Sequence, residues 1–373
     1  RAAQPRMVDA QRDDEGWWTC RVDGAAAGQL YHWRIDDELM VPDPASRYNP
    51  HGVHQPSQVV DPAAFAWDDG WTGRPWSEVV LYELHVGAFT PEGTYAAAAG
   101  RLQDLADLGI TAVELMPLAD FPGRFGWGYD GVLPYAPHAA YGTPDDLKAF
   151  IRQAHRLGLM VFLDVVYNHF GPEGNYLHRY APQFFSTTRS SPWGAAINFD
   201  GPGSRWVREF FIRNAIHWTT EYRFDGLRLD AVHAIADDSD PHLLEELSTR
   251  VREATAGRHV HLVLENENNH HGRLAGSPLP GRYDGQWNDD FHHTLHVSLT
   301  GETSGYYHDY GGVPDGPGET PLDQLGRCLT HGMLFEDSRR KPGGAREAVK
   351  ATPPIPLGAL VNFAHNHDQV GNR

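Results

Sequence analysis

Short apolar runs in this chain end repeatedly in a carboxylate, a histidine or both. In Leu227-Arg228-Leu229-Asp230 the residues alternate, so the two leucines share one face of an extended segment and Arg228 and Asp230 the other. Leucines turned toward covering helices would send the charged pair into an enclosed mouth. Burying a carboxylate beside a guanidinium is costly. A structural ion pair and a reactive centre both explain it. Glu265 closes the run 260–264, and Glu267, two residues on, is a rival to it. Asp368 stands in Asn366-His367-Asp368-Gln369, just beyond the apolar segment 360–363. Asp164 and His169 bound a further run, 164–169. Asp164 falls inside apolar sequence and reads as a tie between strands.

Carboxylates and histidines at several strand ends suit glycoside hydrolysis. One carboxyl protonates the leaving oxygen, and one carboxylate attacks or stabilises an oxocarbenium-like centre. A third can bind sugar hydroxyls and raise the acid's pKa by like-charge repulsion. Clustered His and Asp could instead bind a metal. However, His270-His271 and His292-His293 are adjacent pairs, which on a strand point to opposite faces, and no HExxH pattern occurs. No metal or other cofactor is expected.

These residues need elements that bring strand ends together. From Val79 the pattern alternates strand and helix. Strands are expected at 79–86, 111–116, 159–166, 226–229, 261–264 and 360–363, and helices at 95–108, from Pro144 to about 157, 207–222 and 243–256. Thr143 can cap the second helix, with Pro144 at its first position and Asp145 and Asp146 at the positive end of its dipole. Such alternation calls for a parallel sheet covered on both faces. The number of units favours a (β/α)8 barrel, in which reactive groups sit at the C-terminal strand ends. No Gly-rich phosphate loop follows a strand, which disfavours a nucleotide-binding sheet. The expected domains are 1–75, the later part of a small all-β immunoglobulin-like sandwich, and 76–373, an α/β barrel truncated after about its seventh strand. The absence of an initiator Met also suggests a fragment.

A net charge of −18 repels phosphate backbones, so nucleic acid is not an expected partner. A neutral sugar is indifferent to that charge, and the 11 Trp suit stacking on sugar rings. No apolar run is long enough to span a bilayer, so a membrane partner is not expected. Cys20 and Cys328, far apart, read as free thiols of a cytoplasmic protein.

Four segments, Asp164 to His169, Gly226 to Asp230, Leu264-Glu265 and Asn366 to Gln369, resemble in order and spacing the four short motifs of the α-amylase superfamily. Within it the chain most resembles the malto-oligosyltrehalose trehalohydrolase family. The runs Tyr82 to Gly87, Phe89 to Thr94, Gly126 to Gly131, His169 to Leu177 and Gln286 to His293 carry that likeness. The resemblance implies that Asp230 is the nucleophile, Glu265 the acid/base and Asp368 the transition-state stabiliser. Arg228, His169 and His367 would line the sugar subsite at the cut, joined by Tyr129, Asp130 and His233. The implied reaction is hydrolysis of the α-1,4 bond next to a terminal trehalosyl unit. A branching enzyme with the same machinery is the main alternative, and a non-catalytic glucan-binding relative a further one.

A 1,1-linked end must be told from an ordinary reducing glucose on the leaving side. Asp289, Asp290, His292 and His293, with Gln369 and Asn372, are the candidates for that recognition. The expected partner is therefore a malto-oligosaccharide with a terminal trehalosyl unit, and a homodimer is an open expectation.

Overall fold

The computed structural model describes residues 6–68, 70–275, 279–311, 319–335 and 355–369. Its centre is a seven-stranded parallel sheet in which strands neighbour one another in sequence order. They are β1 (Leu81–Leu84), β2 (Ala112–Leu115), β3 (Met160–Val165), β4 (Gly226–Leu229), β5 (His261–Leu264), β6 (Gly285–Trp287) and β7 (Leu360–Val361). Helices in the connections include α1 (Leu102–Leu108), α2 (Pro144–Arg156), α3 (Ser204–Thr220), α4 (Leu243–Ala254), and then α5 (Asp289–Thr300) and α6 (Pro321–His331) between β6 and β7.

Alternation along the strands divides inside from outside. Val113, Leu115, Val161, Leu163, Leu227, Leu229, Leu262 and Leu264 pack outward against α2, α3 and α4, through Leu147, Phe150, Phe211, Trp218 and Leu247. The other face carries Ala112, Met160, Phe162, Val263 and Trp287, with Leu81 of β1 and Val361 of β7 joining the same cluster. Side chains from the first and last strands meet in one interior, so the sheet curls into a barrel wall. Gly226 faces inward where a Cβ would lie 2.7 Å from the Phe162 ring, so only glycine fits there.

The expected capping of α2 is present in full. Thr143 accepts from the Asp146 amide, and Asp146 reaches back to the Thr143 amide. The single helix expected over 95–108 is instead two, Tyr95–Ala99 and Leu102–Leu108. Between them the Gly100 amide turns to the Ala97 carbonyl at 3.1 Å, and glycine lowers the cost of leaving the helix there. The structure adds β6, α5, α6 and an antiparallel hairpin, Phe185–Ser191 with Gly194–Ile197, which the apolar pattern alone does not mark. The N-terminal region forms three two-stranded antiparallel ladders rather than long strands. Among the described residues no helix is long and apolar enough to cross a membrane.

Candidate active site

Arg228 is the centre of the barrel mouth. It lies on the inward face of β4, fully buried, with its guanidinium 4.2 Å from the Trp287 ring of β6. Nη1 donates to Asp164 Oδ2 at 2.5 Å and to Asp230 Oδ1 at 2.9 Å. Nη2 stands 3.0 Å from Glu265 Oε2, a close charge pair whose angle does not make it a hydrogen bond. One cation therefore faces three carboxyl groups from three adjacent strands.

The two carboxyls nearest the opening are held differently. Asp230 Oδ2 also accepts from Asn168 Nδ2 at 2.9 Å, which fixes the plane of the group. Glu265 Oε2 accepts from the Ala231 amide at 2.7 Å. Ala231 takes a left-handed conformation with φ of 41°, uncommon for a residue with a Cβ. That turn aims its N–H at Glu265, so the residue after Asp230 helps position its partner. Burial first, and then the charge of Asp230, push the Glu265 carboxyl above the usual range; Arg228 and the Ala231 amide oppose this. A carboxyl whose pKa is raised, beside one held by Arg228 and Asn168 as a hydrogen-bond acceptor, is the kind of pair an acid and a nucleophile need.

His367 closes the ring between the end of the sheet and its beginning. Its Nδ1 is 2.7 Å from Glu83 Oε1 of β1, and its Nε2 is 2.7 Å from the Tyr129 hydroxyl. Tyr129 gives its own proton to Asp164 at 2.7 Å, so His367 donates on both sides as an imidazolium. Burial lowers its pKa, but contacts with Asp368 and Glu83 outweigh this and raise it to about 10. Asp368 is half-exposed, 3.4 Å from His367 Nε2, and that contact holds its carboxyl below the usual range. His169 Nε2 donates to the Tyr129 carbonyl at 3.0 Å, and its ring stacks on Trp193 at 4.6 Å.

The structure thus gathers Tyr129, His169, Arg228, Asp230, Glu265, His367 and Asp368 at one end of the sheet. Asp130 is exposed beside them. His233 lies in the turn after Asp230, its Nδ1 accepting from the Glu267 amide at 3.3 Å. Glu267 itself is half-exposed, with its Oε2 3.6 Å from His233 Nε2. Asp289, the first residue of α5, is raised to about 8 by burial and then by the charges of Glu265 and Asp290.

Two expected sugar contacts are placed elsewhere. Asp290 is fully buried and spent within the fold. It accepts from Asn269 at 2.9 Å, from the Leu334 amide at 2.8 Å and from the Tyr310 hydroxyl at 2.5 Å. His292 is also fully buried, bonded to the Ala364 carbonyl at 2.7 Å and to Tyr307 at 3.3 Å. Consecutive residues of a helix point about 100° apart, so Asp289 and Asp290 cannot both face the opening. His293 is buried and meets Gln369 at 3.3 Å. Asn372 lies outside the described residues. Sequence reasoning missed Glu83 as a site residue, although an acid between Tyr82 and Leu84 on a strand gives the same signal as Arg228. It also missed Trp193, for which a lone Trp in a turn gives none.

The family model for the α-amylase catalytic domain matches residues 60–193. A malto-oligosyltrehalose trehalohydrolase of Saccharolobus solfataricus is 41% identical over 370 residues, 98% of this chain and 63% of that protein. The chain therefore spans somewhat under two thirds of that relative's length. A Salmonella typhimurium crystal structure described as an α-amylase is 45% identical with a TM-score of 0.90, covering 98% of this chain and 61% of that one. A 1,4-α-glucan branching enzyme of Burkholderia thailandensis is 33% identical over 245 residues, 60% of this chain and 29% of the enzyme.

Proposed function

The chain belongs to the α-amylase superfamily, and from that premise we propose that it hydrolyses maltooligosyl trehalose with retention, releasing trehalose and a malto-oligosaccharide. The observation that carries the chemistry is the buried Arg228 guanidinium contacting both Asp230 and Glu265 at the ends of adjacent strands. The similarity to a trehalohydrolase over nearly the whole chain supports the choice of substrate.

In this reading the Asp230 carboxylate attacks the anomeric carbon at the cut. A bond forms to its oxygen as the glycosidic C–O bond breaks, and Glu265 gives its proton to the departing O4 of trehalose. Water then enters, Glu265 takes its proton, and the oxygen attacks the same carbon to free Asp230. Asp368, His367 and His169 hold the hydroxyls of the distorted sugar, Tyr129 offers its ring, and the buried Arg228 orients the carboxyls from beneath. Asp289, neutral below its raised pKa, donates a hydrogen bond to the leaving disaccharide, with His233, His293 and Gln369 nearby. The reaction needs no metal or other cofactor in this scheme. We place the protein in the cytoplasm, with no nucleic-acid or membrane partner.

Chromatography of a maltotriosyl trehalose digest, beside an equal-length malto-oligosaccharide, tests this. Trehalose as the released disaccharide, with the plain oligosaccharide cut far more slowly, is expected. Equal rates on both, or chains joined by new 1,6 bonds, would move the assignment to a general amylase or a branching enzyme.

A further inference from the structure

Glu83 and Glu114 are an acid pair that the reaction scheme does not use. They are register partners on β1 and β2. Both lie on the inward face, two residues beyond Leu81 and Ala112 of the interior cluster. Adjacent strands run about 4.8 Å apart, so two acidic side chains start side by side inside the barrel. Phe162 of β3 and Gly226 of β4 continue that level, with Asp164 and Arg228 one level nearer the mouth.

The two acids are held differently. Glu83 Oε1 accepts from His367 Nδ1 at 2.7 Å, and Oε2 accepts from the His367 amide at 2.8 Å. Both bonds go to one residue, so they fix its ring and its backbone together. Glu114 is fully buried, and neither of its oxygens has a hydrogen-bond partner among the described residues. Two ionised carboxyls side by side in so dry a place repel each other, and one keeps a proton. The charge belongs on Glu83, which has the donors, and the proton on Glu114. Desolvation, followed by the charges of Glu83 and Asp164, pushes the Glu114 carboxyl well above the usual range, against Arg228 and His367.

Glu83 holds the segment after β7, where no further helix or strand occurs among the described residues. Within that segment Asn366 Oδ1 accepts from the Asp368 and Gln369 amides at 3.1 and 2.9 Å, a tight turn that carries Asp368. The two Glu83 bonds tie this turn to the first strand. The His367 ring also faces Tyr129 and Asp368 and lies in the field of Arg228 and Asp164. Glu83 and Asp368 are the charges that favour its imidazolium form, and Arg228 opposes them. We propose that Glu83 and Glu114 work as one unit with a single proton, kept on Glu114, and that Glu83 is a positioning residue acting on the reaction through His367. Its kinetic consequence rests on the hydrolase reading above.

The test uses the full-length enzyme. In nitrogen NMR of histidine-labelled protein, the His367 signal is the one lost in His367→Asn. Its deprotonation midpoint, about 10 in the wild type, should fall by roughly one to three pH units in Glu83→Gln. Glu83→Asp, which keeps the charge, should recover part of that shift and serves if Glu83→Gln does not fold. An unmoved midpoint would overturn the role of Glu83. In kcat/KM on maltotriosyl trehalose, Glu83→Gln should lose roughly tenfold, and the double variant should be no worse than His367→Asn alone. Losses that multiply would show that Glu83 does not act through His367. The Glu114 proton is read from stability. Above the carboxyl's unfolded pKa the fold keeps a proton that the unfolded chain releases, so stability declines as pH rises. Glu114→Gln removes that decline, and its melting temperature relative to the wild type should climb between about pH 5 and about pH 8. A constant or narrowing difference would mean that Glu114 is ionised, against the proposal. Were trehalose not released from any substrate, the trehalohydrolase reading would fail by itself, and the NMR and melting measurements would still decide the acid pair.

Discussion

At the scale of residues, the account rests on one guanidinium and the carboxyls around it. Asp230→Asn and Glu265→Gln should each lower kcat by roughly a thousandfold or more while the far-ultraviolet circular dichroism is unchanged. Comparable turnover in either variant would remove that residue from its role. Glu267→Gln should matter far less, because Glu267 stands with His233 rather than with Arg228. The pH dependence has a worked sign. Glu265 must hold its proton to act as acid, and its raised pKa keeps it protonated further up the scale than a free carboxyl. kcat/KM therefore falls as pH rises through that pKa. Asp289 ionises at about 8, and above that it can no longer donate to the leaving sugar. Selectivity for the trehalosyl end should drop above pH 8 in the wild type and hold level in Asp289→Asn, measured as the ratio of kcat/KM on the two substrate types. A parallel drop in the variant would exclude Asp289 as the donor. The clustering of the candidate site residues was legible because strand alternation exposes a charge on an inward face. Asp290 and His292 were not, since their helix was not foreseen and its 100° step sends neighbours in different directions.

At the scale of elements, the loop between β2 and α2 does most of the positioning. Gly128→Ala would force a Cβ into the Pro117 carbonyl and shift Tyr129, the bridge between Asp164 and His367. It should reduce kcat/KM and thermal stability together. Thr143→Ala should cost only about 1 kcal/mol of stability with activity retained below the new melting point, because the bonds it removes are the capping bonds to Asp146 and none to the catalytic cluster. Melting temperatures and kcat/KM for the two variants check this pairing. A Gly128→Ala enzyme of unaltered activity would show that the loop need not be rigid. The strands β1 to β5 were readable from apolar runs with turn residues at their ends. β6 was not, since Gly285-Gln286-Trp287 is only three residues long and is flanked in sequence by Asp284 and Asn288. The Phe185–Ser191 hairpin hides for a similar reason. Its residues are mostly Ser, Thr and Arg, half in solvent, and no periodicity marks them.

At the scale of the whole molecule, a barrel wall brings groups from β1, β3, β4, β5 and the segment after β7 into contact across nearly 300 residues, as in the bond from the His367 amide to Glu83 at 2.8 Å. The excess of 18 negative charges gives no steering to a neutral glucan. Raising salt from low to several hundred millimolar should change kcat/KM by less than about twofold, whereas a charged substrate would show a steep decline. The most direct test of the central claim is proton NMR of maltotriosyl trehalose during the first moments of digestion by the full-length enzyme. Trehalose should appear in step with maltotriose, and the new maltotriose should be the α-anomer before mutarotation. The β-anomer appearing first, or maltotriose and longer fragments forming without trehalose, would contradict the account.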